Sequence, residues 1–317
     1  MRTIKIISVW CFTLFLALHS RAASGQEQKT IVRLDPALDA IVSPDAKLET
    51  LSDSPGQGTR EGPVWMRQGG YLIYSDMSAK TINKWTPGDN KVSIFQEKTG
   101  SDGVALDRKG RVVWAAKSAA GGEIVRLEGG GQRTTLASDQ PDAPVKGPND
   151  LIYKSDGSLY FTDTGNDRVY LLKDGKLVLL TKDMPHPNGL AFSPNEKYLY
   201  INDSAKRTIT RFEMNPDGTL LNGQVVIDMN EGQEPCPFPC PAGYPDGMKV
   251  DRKGNIYSTG PGGIWIISPQ GKHLGTIVVP NHPANLGFGD ADSKTLYVTA
   301  RPGLYRVRLK AAGIRAK

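Results

Sequence analysis

A six-bladed, all-β propeller is the fold this sequence predicts, and three observations carry it. One unit recurs six times at a spacing near 40 residues, the length of a four-stranded propeller blade. Long segments with a helical period are missing, while 35 Gly and 22 Pro are scattered through 317 residues, which favours many short strands and turns. The second strand of each unit is rich in Tyr, Trp and Val, residues suited to a pleated, packed surface. A two-sheet sandwich would leave the fixed period unexplained.

The chain opens with Arg2 and Lys5, the apolar run Ile6 to Leu18, and the small residues Ala22, Ala23, Ser24 and Gly25. That succession is the pattern of a secretory signal peptide, and the run is shorter than the about 20 residues of a membrane span. Residues 1–25 are expected to be cleaved, leaving a periplasmic or secreted protein without a membrane span. Losing Arg2, Lys5 and Arg21 takes Lys+Arg from 39 to 36 against 33 acidic residues. No basic run remains, so nucleic acid is not an expected partner, and a monomer or weak oligomer is expected. Residues 26–55 read as a linker or edge segment with the apolar patch Ile31-Val32-Arg33-Leu34. Residues 56–312 hold the propeller.

Each copy begins with a polar residue beside Gly or Pro and runs into a short apolar strand. The starts are Glu61-Gly62-Pro63, Asp102-Gly103-Val104, Asn149-Asp150-Leu151, Asn188-Gly189-Leu190, Asp246-Gly247-Met248 and Asn285-Leu286-Gly287. Second strands follow, such as Leu72-Ile73-Tyr74 and Leu159-Tyr160-Phe161, across turns such as Asp107-Arg108-Lys109-Gly110 and Asp251-Arg252-Lys253-Gly254. The starts are separated by 41, 47, 39, 58 and 39 residues. The surplus in the 58-residue interval contains Cys236-Pro237-Phe238-Pro239-Cys240, so an insertion is expected over one face. Cys236 and Cys240 read as a disulfide in an oxidising compartment, with free thiols or a metal as alternatives.

In a propeller, equivalent residues of all blades surround the central channel. The expected rim is therefore Glu61, Asp102, Asn149, Asn188, Asp246 and Asn285. Any one of them alone would read as a turn former. Three carboxylates and three amides around one axis are unfavourable unless a cation sits among them. Oxygen-only ligands suit Ca²⁺ first, with Mg²⁺, Mn²⁺ or Zn²⁺ as alternatives, and argue against copper or a structural zinc site.

At these residues the chain resembles the regucalcin/gluconolactonase family (senescence marker protein-30 and luciferin-regenerating enzyme relatives), in its secreted bacterial gluconolactonase-like branch. Glu61-Gly62-Pro63-Val64-Trp65, Pro148-Asn149-Asp150-Leu151, Pro187-Asn188-Gly189-Leu190 and Pro245-Asp246-Gly247-Met248 are similar to four family motifs in the family's order. The resemblance implies one divalent metal held by Glu61, Asn188 and Asp246, with Asn149 reaching substrate. It implies hydrolysis of a small lactone or ester. The metal would stabilise the oxyanion that forms on the carbonyl oxygen, and Asp246 is the candidate base for the attacking water. Asp102, Asp203 and Asn285 are secondary candidates, and His186 is a candidate substrate contact. Lys117 and Lys146 depart from the family pattern at substrate-binding positions, as attractors of an anionic substrate or as plain surface charges. A silent ligand- or partner-binding propeller, and a hydrolase of other esters or phosphotriesters, stay open as alternatives. No Gly-x-Ser-x-Gly occurs, so a serine triad is not expected.

Overall fold

The computed structural model describes residues 30–52, 58–118, 121–232, 239–240 and 242–314. The expected signal peptide lies outside the described residues, as does Cys236. Among the described residues no helix is long and apolar enough to cross a membrane.

Strands form six antiparallel sheets arranged as propeller blades. Blade 1 consists of Arg60–Met66, Tyr71–Asp76, Thr81–Thr86 and Lys91–Gln96. Blades 2, 3 and 4 repeat that meander, with inner strands Ser101–Leu106, Pro148–Tyr153 and Pro187–Phe192. Blade 5 starts at Met248–Val250 and blade 6 at His282–Gly289.

The N-terminal segment completes the last two blades. Leu48–Ser52 pairs with Gly303–Arg308 as the fourth strand of blade 6. Ile31–Arg33 pairs with His273–Val278 as a fifth strand on blade 5. The region expected as a linker or edge is thus built into two sheets, and the ring closes by joining the two ends of the chain.

The core is divided among the seams. Six buried apolar clusters each join two neighbouring blades, for example Ile73, Val104 and Trp114 between blades 1 and 2. Alternate residues of a second strand therefore serve opposite seams: Ile73 packs toward blade 2 while Leu72 and Tyr74 pack toward blade 6. That explains why these strands read as continuous apolar runs, since both faces are buried. Trp65 stacks on Tyr297 with ring centroids 5.4 Å apart, packing aromatic surface into the seam between the first and last blades.

Candidate active site

Inner strands reach the channel through bulges. Register shifts fall between Glu61 and Val64, Ser101 and Val104, Pro148 and Leu151, Pro187 and Leu190, and Pro283 and Asn285. A bulge re-aims the side chain where it occurs. Glu61, Asp102, Asn149 and Asn188 accordingly line one cavity of about 220 Å³, joined there by Asp246, two residues before the regular strand Met248–Val250.

The glycine after the rim residue does more than shape a turn. A Cβ on Gly189 would stand 2.2 Å from the Asp246 carbonyl oxygen, and one on Gly247 would stand 2.2 Å from Asn285 Oδ1. Without that atom, Gly189 N–H donates to Asp246 O at 2.9 Å and Gly247 N–H donates to Ala284 O at 2.8 Å. Adjacent inner strands can then touch backbone to backbone, which draws the rim residues to one axis.

Glu61, Asn188 and Asp246 come from blades 1, 4 and 5 and are all buried. Asn188 is oriented by a chain of two bonds. Ser204 Oγ donates to Pro245 O at 2.6 Å and so accepts from Asn188 Nδ2 at 3.2 Å. Asn188 Oδ1 is left buried with no hydrogen-bond partner. A buried carbonyl oxygen without a donor costs about 1–3 kcal/mol, and a cation would satisfy it. Burial, then the charges of Asp246 and Asp102, push the Glu61 carboxyl well above its ordinary value. Burial pushes Asp246 up to about 7, against the opposing charge of Arg301. One oxygen without a donor beside two carboxyls that resist ionisation fits a hard divalent cation. The Asp246 backbone is held on both sides: its N–H donates to Thr259 Oγ1 at 2.6 Å, and Asn202 Nδ2 donates to its carbonyl at 2.7 Å.

The cavity wall also carries positive charge that the six starts do not contain. Lys117 Nζ bonds Asp102 Oδ2 at 2.5 Å, and Asn149 Nδ2 donates to the same oxygen at 3.3 Å. Asp102 is thus engaged by a lysine and an amide. Arg301, which was not singled out from sequence, places its guanidinium 3.5 Å from Asp246 Oδ2. Asp150 was also passed over; it is buried 3.9 Å from Lys249 Nζ, and burial raises its carboxyl against that lysine's pull.

The remaining candidates separate. His186 lines the cavity, and burial lowers its ring below the ordinary histidine range despite Asp203 nearby. Asn285 is buried off the cavity, where its Oδ1 accepts from Leu286 N–H at 2.8 Å and its amide lowers the Glu61 and Asp150 carboxyls against the effect of burial. Asp203 caps a turn, accepting from Ala205 and Lys206 N–H through Oδ1. Asp163, its counterpart in blade 3, instead holds the approach to the inner strand, accepting from Lys146 N–H through Oδ2 and from Gly147 N–H through Oδ1. Lys146 turns its ammonium to Asp139 at 2.6 Å and does not line the cavity. Cys240 is buried and disulfide-bonded; the pairing with Cys236 rests on a residue outside the described set. Tyr244, from the same 58-residue interval, lines the cavity.

Known proteins share this fold. A gluconolactonase of Zymomonas mobilis is 31% identical over 92% of this chain and 89% of its own. A 6-deoxy-6-sulfogluconolactonase of Pseudomonas putida is 28% identical over 76% of this chain and 82% of its own. The solved structure of a gluconolactonase from Xanthomonas campestris superposes with a TM-score of 0.76 at 30% identity, covering 88% of this chain and 94% of that one. The family model described as the SMP-30/Gluconolactonase/LRE-like region matches residues 59–301, which include the inner strand of every blade and every residue lining the cavity. The chain belongs to the SMP-30/gluconolactonase/LRE-like family.

Proposed function

We propose that this protein hydrolyses a small lactone in a metal-dependent reaction, with Ca²⁺ as the metal. The observation that carries the reading is the buried Asn188 Oδ1, fixed in direction by Ser204 and left without a donor beside Glu61 and Asp246. The gluconolactonase relatives support lactone chemistry for the same cavity.

Glu61, Asn188 and Asp246 would hold the ion. Once bound, it supplies electrophilic stabilisation of the negative charge that develops on the lactone carbonyl oxygen. Asn149 and Thr164, on the cavity wall, offer hydrogen bonds to substrate hydroxyls. Asp246 is the group placed to take the proton of the attacking water. Water oxygen bonds to the carbonyl carbon, the ring C–O bond breaks, and the alkoxide so released is protonated to give a hydroxy acid. At about 220 Å³ the cavity is smaller than the roughly 300–1,000 Å³ of drug-sized pockets, which suits a single sugar ring.

Lactone hydrolysis should stop on treatment with EDTA and return with added Ca²⁺, and Asp246→Ala should abolish it. Full turnover by the metal-free protein would overturn the proposal.

A further inference from the structure

We propose that the substrate is an anionic lactone, a sugar-acid lactone carrying a carboxylate or comparable negative group away from its reacting carbonyl, and that Arg301 is the residue that reads that charge. The inference rests on the lactonase reading and narrows it. Arg301 and Lys117 are the cations lining the cavity among the described residues. They stand on blades 6 and 2, on either side of the blade that carries Glu61. Their side chains are 41% and 37% exposed and both face the cavity, Lys117 held by Asp102 and Arg301 beside Asp246 and Tyr244. The two other lysines close to this region are engaged elsewhere, Lys249 with Asp150 and Lys146 with Asp139.

Charge balance points the same way. Three carboxylates and two fixed cations line the cavity, so a divalent ion brings its total to one net positive charge. One negative group on the substrate neutralises it, whereas a neutral sugar lactone leaves it uncompensated in a confined site. Arg301 lies 3.5 Å from Asp246 Oδ2, longer than the about 2.7–2.9 Å of a tight charged hydrogen bond. Its planar five-donor fork matches a carboxylate, sulfonate or phosphate. Lys117 is held more closely by Asp102 and acts as a second, fixed positive charge.

The test compares gluconolactone with glucarolactone, which carries a carboxylate where gluconolactone has a hydroxymethyl group. Wild-type protein should show the higher kcat/KM on glucarolactone. Arg301→Gln should lower the ratio of the two kcat/KM values by about 10–100-fold, mainly through KM of the anionic substrate. Arg301→Lys should restore part of that ratio. A wild type that prefers gluconolactone, or a ratio unmoved by Arg301→Gln, overturns the proposal. If wild type turns over neither lactone, the lactonase reading falls, and calorimetric titration of the Ca²⁺-loaded protein with glucarate and gluconate decides the anion reading by itself. Tighter glucarate binding that Arg301→Gln weakens at least tenfold, a loss on the order of one charged hydrogen bond, supports it; equal affinities overturn it.

Discussion

Asp246→Asn should make the metal-free protein more stable at neutral to basic pH, the reverse of what most buried substitutions do. In the folded chain the Asp246 carboxyl sits at about 7, against an ordinary value of 3.8. A carboxyl raised on folding contributes its stability below the unfolded value and loses it as pH rises through the folded one. At about pH 8 the gap of about three pKa units disfavours the folded state by about 4 kcal/mol, at 1.36 kcal/mol per unit. At about pH 5.5 only the unfolded chain ionises at this group, and the cost falls to about 2 kcal/mol. Acidification in EDTA should therefore recover about 2 kcal/mol in wild type that Asp246→Asn has nothing to recover, a difference of about 4 °C in Tm for a chain of this size. Glu61 adds to the effect, because its raised carboxyl loses one repulsive neighbour in the variant. Thermal unfolding followed by circular dichroism, with and without EDTA, reads this directly. Saturating Ca²⁺ should lift wild type most at the higher pH, where the carboxylates are free to bind it. Parallel pH profiles for wild type and Asp246→Asn in EDTA would refute the reasoning.

Three further perturbations probe the support of the site. Ser204→Ala frees the Asn188 amide to rotate, and Ca²⁺ affinity measured by calorimetry should fall about 10–100-fold, the usual effect of losing a partner that orients a ligand, with the fold retained. Gly189→Ala puts a methyl group 2.2 Å from the Asp246 carbonyl oxygen and 2.8 Å from Met248 N; urea unfolding should show a loss of about 3 kcal/mol or more, since backbone on both sides cannot yield. Removing residues 1–53 strips Leu38, Ile41, Val42 and Leu51, all buried, from the last two blades. At about 1.5–3 kcal/mol each this approaches the roughly 5–15 kcal/mol of a whole domain, and a cooperative thermal transition close to that of wild type would contradict it.

The blade count, the order of the strands and the rim residues were legible because they repeat, and repetition makes weak local signals add. Closure by the N-terminal segment was less visible, though the sixth copy ends after three strands, at Arg308, and a fourth had to come from elsewhere. Asn285 was drawn in as the start of the sixth copy and Asp203 by residue type, yet a carboxylate capping a turn and one facing a channel look alike in one dimension. Their neighbours Asn202 and Ser204 escaped notice because their role depends on hydrogen bonds to another blade. Arg301 escaped for a different reason: its position repeats while its chemistry does not. Met77, Lys117, Thr164, Ser204 and Arg301 each lie 15 or 16 residues after the start of their own copy.

That offset shows how the fold separates two tasks. Starts of inner strands supply Glu61, Asn188 and Asp246, and each meets a neighbouring blade, Glu61 where Gly62 packs close against Val104 N, Asn188 and Asp246 through glycine-permitted backbone contacts and the side chains of Ser204 and Asn202. A change there disturbs a seam as well as the site. The far ends of second strands, and the residues just beyond them, supply Met77, Lys117, Thr164 and Arg301. Lys117 and Arg301 meet the cavity mainly with their charged ends, each against one carboxylate of the rim. Substitution at such positions alters the charge and shape of the cavity wall while leaving the seams and the candidate metal ligands in place. The motifs that resemble the family's fall on the inner starts, where packing and the proposed metal binding would constrain the same residues. On the proposed reading, the identity of the substrate is written at the second-strand ends, where this chain sets two cations into an acidic channel.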